Sequence, residues 1–208
     1  MVGTNMTIFK DVIISPQKAF VEIGNNGKKY FPFAFVILLG TVISSPILSY
    51  YVNSQIYFHF VEETLPFDFS SIFFEIELGF LYGIGFTYLA YTIGKKIGGQ
   101  GSFKGVFSSL CFAALPITIV GFFILLSLGF VSLSNFKHGG AFSLYYLMII
   151  VIVIWGFVLG LFAIIKSHQL SFLKAILTML TSGVIIIAIS IPILFLIELN
   201  DQIPHFKI

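Results

Sequence analysis

The chain contains no arginine, a single cysteine and few charges of either sign. Without arginine, all eleven basic residues are lysines, so lysine alone carries any signal of orientation. One cysteine excludes an intramolecular disulfide. Cys111 lies within an apolar run with no cationic neighbour to lower its pKa, so it reads as a buried thiol rather than a reactive one. Charged residues make up 10% of the 208 positions, against about 25% in ordinary soluble domains. With 58% hydrophobic residues and a mean hydropathy of +1.04, a water-soluble core is excluded. The net charge of +2 makes no case for nucleic-acid binding.

Long charge-free runs are abundant. They occupy residues 30–61, 78–94, 105–136, 139–165 and 175–197, and about 20 apolar residues suffice to cross the hydrocarbon core as a helix. Each run holds one crossing, with best placements at 30–51, 72–93, 106–130, 144–165 and 175–197. The expected fold is therefore all-α: a multi-pass, five-transmembrane-helix bundle at 30–197, preceded by a leader at 1–29 and followed by a tail at 198–208. No separate soluble domain fits. Lys10 and Asp11 interrupt the first apolar stretch and no small-residue cleavage site follows, so the leader is expected to be retained. Ile8, Phe9, Val12 and Ile13 recur at helical spacing. Ser15-Pro16 then supplies an N-cap and first-turn proline for a second short helix presenting Ala19, Phe20 and Ile23, which the run from Gly24 to Gly27 breaks. Such segments lie at the membrane interface.

Nine lysines (Lys10, Lys18, Lys28, Lys29, Lys95, Lys96, Lys104, Lys166, Lys174) fall on one side of this layout and two (Lys137, Lys207) on the other. The positive-inside rule then places the N-terminus in the cytoplasm and the C-terminus outside, in an integral membrane protein of the cell membrane. The inner lysines are suited to anionic lipid. Within lipid, helices need close backbone approach, and the pairs Gly79/Gly83 and Gly156/Gly160 offer it either inside the bundle or for self-association. Pro46, Pro116 and Pro192 interrupt the first, third and fifth crossings. Gln100-Gly101-Ser102-Phe103 before the third crossing and Gln169-Leu170-Ser171-Phe172 before the fifth suggest a duplicated hairpin.

Polar chemistry is scarce. Glu75 and Glu77 sit in the first turns of the second crossing and point about 200 degrees apart, so both cannot line one cavity. They read as interfacial acids complementing the helix dipole, or as one member of a polar pathway. His59, Glu62 and Glu63 have metal-ligand types three and four apart, with His138 and His205 on the same side, yet a solvated loop explains them without a metal. Serine hydrolysis lacks a G-x-S-x-G elbow and a histidine within a helix core. The Glu62-Glu63 pair resembles that of prenyl-protein proteases, whose motif also wants an arginine. No catalytic residue, cofactor or metal is expected. In the inner loop, Gly98 and Gly99 are expected to set conformation through positive φ, Ser102 to cap the third crossing, and Lys95, Lys96 and Lys104 to meet partners or lipid. A Walker pattern is missing from this glycine-rich stretch.

That loop and Leu115-Pro116, together with Ser15-Pro16-Gln17-Lys18-Ala19-Phe20 and Ser171-Phe172-Leu173-Lys174-Ala175, resemble the Yip family of Ypt-interacting proteins, especially its short prokaryotic members. The resemblance covers nearly the whole chain. It implies five crossings with a cytoplasmic N-terminus and a non-enzymatic role organising membrane or membrane-protein partners, membrane lipids and other membrane proteins or a second copy among them. Eukaryotic relatives bind prenylated Rab-type GTPases through a longer leader with an acidic-Leu-Tyr-Gly-Pro motif. This chain has no such motif, so GTPase binding is not carried over. A small channel or carrier and an accessory subunit of a larger membrane complex are the alternative readings.

Overall fold

The computed structural model describes residues 3–61, 69–128 and 139–202. Eight helices appear there and no strand: α1 (Gly3–Ile14), α2 (Pro16–Asn25), α3 (Gly27–Val61), α4 (Phe69–Lys96), α5 (Phe103–Ala113), α6 (Leu115–Leu128), α7 (Gly139–His168) and α8 (Phe172–Gln202). Among the described residues, five stretches are long and apolar enough to cross a membrane: Gly27–Pro46, Ile72–Lys96, Phe103–Val120, Ile150–His168 and Phe172–Pro192. The expected crossings are thus present. The first helix is longer than its expected span and runs to Val61.

The prolines at 46, 116 and 192 act differently. Pro46 and Pro192 stay inside α3 and α8. At Pro116 the third crossing divides into α5 and α6, with Ala114 between them. Pro116 cannot donate to the carbonyl four residues back and its ring crowds that carbonyl, while Ala114 N–H is shared between the carbonyls of Leu110 and Cys111. Thr118 Oγ1 donates to Ala114 O at 3.1 Å and is also paired with Thr41 Oγ1 of α3. Thr118 thus ties the first turn of α6 to Ala114 and to α3 beside the break.

Helix α5 occupies the centre, against α2, α3, α4 and α7. Apart from Leu110, every residue from Gly105 to Ala113 is buried. Small residues make that possible, since a Cβ on Gly105 would collide with the carbonyl of Gly24, and one on Gly27 with the backbone of Gly105. Ser108 Oγ donates to Gly27 O at 3.3 Å across the same contact. The leader packs here too. Ile8, Val12, Ala19, Phe20 and Ile23 are buried in the main core, and Phe9 meets Phe112 at 5.3 Å between ring centroids. The α2 face expected from the sequence is the one covered. Ser15 occupies the N-cap position with Pro16 following, but its side chain makes no capping bond; its carbonyl accepts from Lys18 and Ala19 instead.

Helix α8 is inside out by soluble standards. Leu173, Leu177, Leu180, Val184, Ile187 and Ile191 form an exposed stripe at helical spacing, whereas Ala175, Thr178 and Ser182 are buried. Lipid accounts for both faces, because exposed aliphatics cost nothing in hydrocarbon and small residues let helices approach. Thr178 and Ser182 satisfy their hydroxyls on the carbonyls of Lys174 and Thr178, at 2.8 and 2.7 Å. The paired glycines likewise serve internal packing. A Cβ at Gly79 or Gly83 would meet Val42 or Leu38 of α3, at Gly156 Ile117 of α6, and at Gly160 Met179 of α8.

Candidate functional site at the lysine-rich end

The turn joining α4 to α5 and the turn joining α7 to α8 meet at the same end of the bundle, beside the leader. Helix α4 stops because Gly98 takes φ +99, a conformation glycine adopts without steric cost. Gly98 N–H then reaches Lys95 O at 3.1 Å and Gly99 N–H reaches Gly94 O at 2.8 Å, the paired bonds of a Schellman ending. Ser102 accepts from Gly105 N–H at 3.1 Å and starts α5. Gly98 and Ser102 thus have the expected geometry.

Gly99 differs from expectation. It has no positive φ; it is glycine because of what lies against it. A Cβ there would sit 2.7 Å from Gly94 O and 2.7 Å from Nδ1 of His168. Gly94 would place one 2.7 Å from His168 Nε2, and Gly101 one 3.0 Å from Nδ1. Three glycines therefore form a cradle for one imidazole. His168 is 0% exposed and stacks on Tyr91 of α4 with 6.1 Å between centroids.

This histidine stands at the end of a helix, so it leaves untouched the expectation that none lies within a helix core. It closes α7, fully buried, although it stands two residues beyond Lys166 in what reads as a loop. The sequence carried one clue, the unexplained glycine spacing at 94, 99 and 101. Its partner was invisible because it comes from the other hairpin. Further bonds join the turns: Gln100 N–H donates to His168 O at 2.9 Å, and Lys174 Nζ donates to Ile97 O at 2.9 Å.

Lys95 and Lys96 are exposed in the last turn of α4, where cations complement the dipole. Lys104 is exposed at the start of α5, its ammonium 5.5 Å from the centroid of Phe31. Lys29 of the leader approaches Glu22 at 4.0 Å, and Tyr30 donates its hydroxyl to the same carboxylate. Lys29 is therefore engaged within the leader, whereas Lys95, Lys96 and Lys104 stand exposed at the first turn.

The remaining candidates lie elsewhere. Pro116 starts α6 and shapes the crossing rather than the turn. Glu75 and Glu77 belong to the far part of α4; both are exposed, and only Glu75 borders the cavity between the helices. Cys111 is buried in the core. Glu62, Glu63, His138 and His205 lie outside the described residues, as do the side-chain surroundings of His59. Among the described residues, no group of three His, Cys, Asp or Glu side chains is gathered as a metal site.

Comparison with curated proteins and with solved structures gives no match. The family model described as the Yip1 domain matches residues 10–194, from within α1 to the far part of α8. With most of the leader, both turns and all five crossings inside that match, the chain is an integral membrane protein belonging to the Yip1-domain family.

Proposed function

We propose that this protein organises membrane or membrane-protein partners through its lysine-rich end, facing the cytoplasm, without an enzymatic step. The observation supporting this reading is the joining of the leader and both turns into one packed platform that leaves Lys95, Lys96 and Lys104 exposed. Each lysine near an anionic membrane contributes about 1 kcal/mol. Packing and partner contact are thereby separated: glycines and His168 hold the platform, and lysines present charge to whatever approaches it.

The test is a Lys95→Gln, Lys96→Gln, Lys104→Gln triple variant purified in mild detergent, with co-purifying proteins and lipids identified. Anionic lipid or partner retention should drop by roughly fivefold or more, a conservative reading of three such contributions, with thermal melting unchanged. A full complement of partners and lipids in the triple variant defeats the reading. Orientation is checked separately in a Cys111→Ser background. Asn26→Cys should be shielded from an impermeant thiol reagent in intact cells and His138→Cys labelled; the opposite pattern reverses the face.

A further inference from the structure

Away from the lysine-rich end, the crossings line a partly open cavity of about 540 Å³, within the roughly 300–1,000 Å³ range of small-molecule sites. Its walls are largely apolar, with Leu38, Val42, Leu110, Ile117 and Met179 contributed by α3, α5, α6 and α8. Along α4 it extends from Glu75 to Thr87, which is about 18 Å at the helical rise per residue. That is close to the depth of one leaflet, about half of a 30 Å hydrocarbon core.

The position of Glu75 defines the cavity's polar end. From Lys95, at the opposite end of α4, it is separated by about 30 Å of helix, the full thickness of the core. Glu75 therefore stands at headgroup level on the lysine-poor side. Among the described residues it is the cavity's sole carboxylate, and no lysine or histidine lines the walls. Among the described residues it has no ion-pair or hydrogen-bond partner. Both Glu75 and Ser45 are exposed, so the cavity reaches the protein surface at this end.

We infer that the cavity holds one acyl chain of a lipid from the lysine-poor leaflet whose headgroup carries a primary ammonium, with that ammonium at Glu75. Length and apolar lining select a chain. The unpaired carboxylate at the interface selects the head, because an anionic headgroup would be repelled there and a primary ammonium offers N–H donors to the carboxylate. This inference needs only that the chain crosses a bilayer; it is independent of what binds the lysine-rich end.

The test uses full-length protein in phosphatidylcholine vesicles containing phosphatidylethanolamine with a photoreactive diazirine midway along one acyl chain, with labelled positions mapped by mass spectrometry. Labelling should concentrate at residues 38–42, 79–83 and 110–117. It should exceed that from the matching phosphatidylglycerol probe by roughly threefold, the scale of a partly solvated ion pair. Ala114→Phe, which fills the cavity from its wall, should remove most of the labelling. Glu75→Gln, at an exposed position, should abolish the preference for ethanolamine. Labelling spread evenly along the outer stripe of α8, equal yields from the two probes, or an unaffected Ala114→Phe protein overturns the inference. Should Ala114→Phe not fold, the Glu75→Gln comparison decides it alone.

Discussion

The two turns at the lysine-rich end finish their helices in the same way and seal them differently. After α7, Gln169 takes φ 56 and Leu170 N–H reaches Ile165 O at 3.1 Å, matching the bond from Gly99 to Gly94 after α4. In the α7–α8 turn, Leu170 packs with Ile165 in a small apolar cluster, the contact that usually accompanies this ending. Glycines 99 and 94 hold the equivalent positions in the α4–α5 turn, and the His168 ring occupies the space that their side chains would need. One turn carries its own sealing side chain. The other is completed by its neighbour, so its geometry depends on the two hairpins being docked.

Gly99→Val tests that dependence most severely. A branched side chain must displace His168 or the Gly94 carbonyl, and we expect a loss of about 3 kcal/mol, at the upper end for overpacked cores. Leu170→Val should cost no more than about 1.5 kcal/mol, as a one-methylene deletion does. Melting in mild detergent measures both; equal losses would remove the distinction between the turns. The next contrast lies in the left-handed residues. Gly98→Ala should destabilise by about 1 kcal/mol, because a Cβ is disfavoured at positive φ. Gln169→Gly should stabilise by a few tenths to about 1 kcal/mol as the same steric cost is relieved, partly offset by unfolded-state entropy. Opposite signs in the two melting shifts are the expected result. Smallest is the difference between the starting serines. Ser102→Ala loses a side-chain cap worth about 1 kcal/mol, whereas exposed Ser171 shows its carbonyl bonded to Ala175 N–H at 3.0 Å, and its replacement should stay within about 0.5 kcal/mol.

The shared Gln-x-Ser-Phe strings obscure this correspondence. Gln169 is itself the left-handed residue, but Gln100 follows two positions after Gly98. Aligning the strings therefore misaligns the turns by two residues. Lys95 and Lys166, each three positions before the left-handed residue, give the geometrically correct pairing. The Ser102 cap and positive φ at Gly98 were legible because capping and turn chemistry act within a few residues. Gly99 reads in the sequence as a second position of positive φ, since sequence cannot distinguish a glycine needed for its backbone angle from one needed for space. Only the ring of His168 separates the two.

Hydropathy, lysine distribution and local breakers determined the membrane character, the five crossings and the division of the leader, because each depends on residues close along the chain. Tertiary structure decided that the leader's apolar face is covered by protein, that the paired glycines face neighbouring helices, and that Glu75 rather than Glu77 borders the cavity. It also decided that His168 is buried beneath a turn whose glycines lie some 70 residues away. In lipid, hydrophobicity places a helix across the bilayer but does not choose its neighbours. That choice rests on shape complementarity between small residues and side chains distant in sequence, and it created both the docked turns and the cavity.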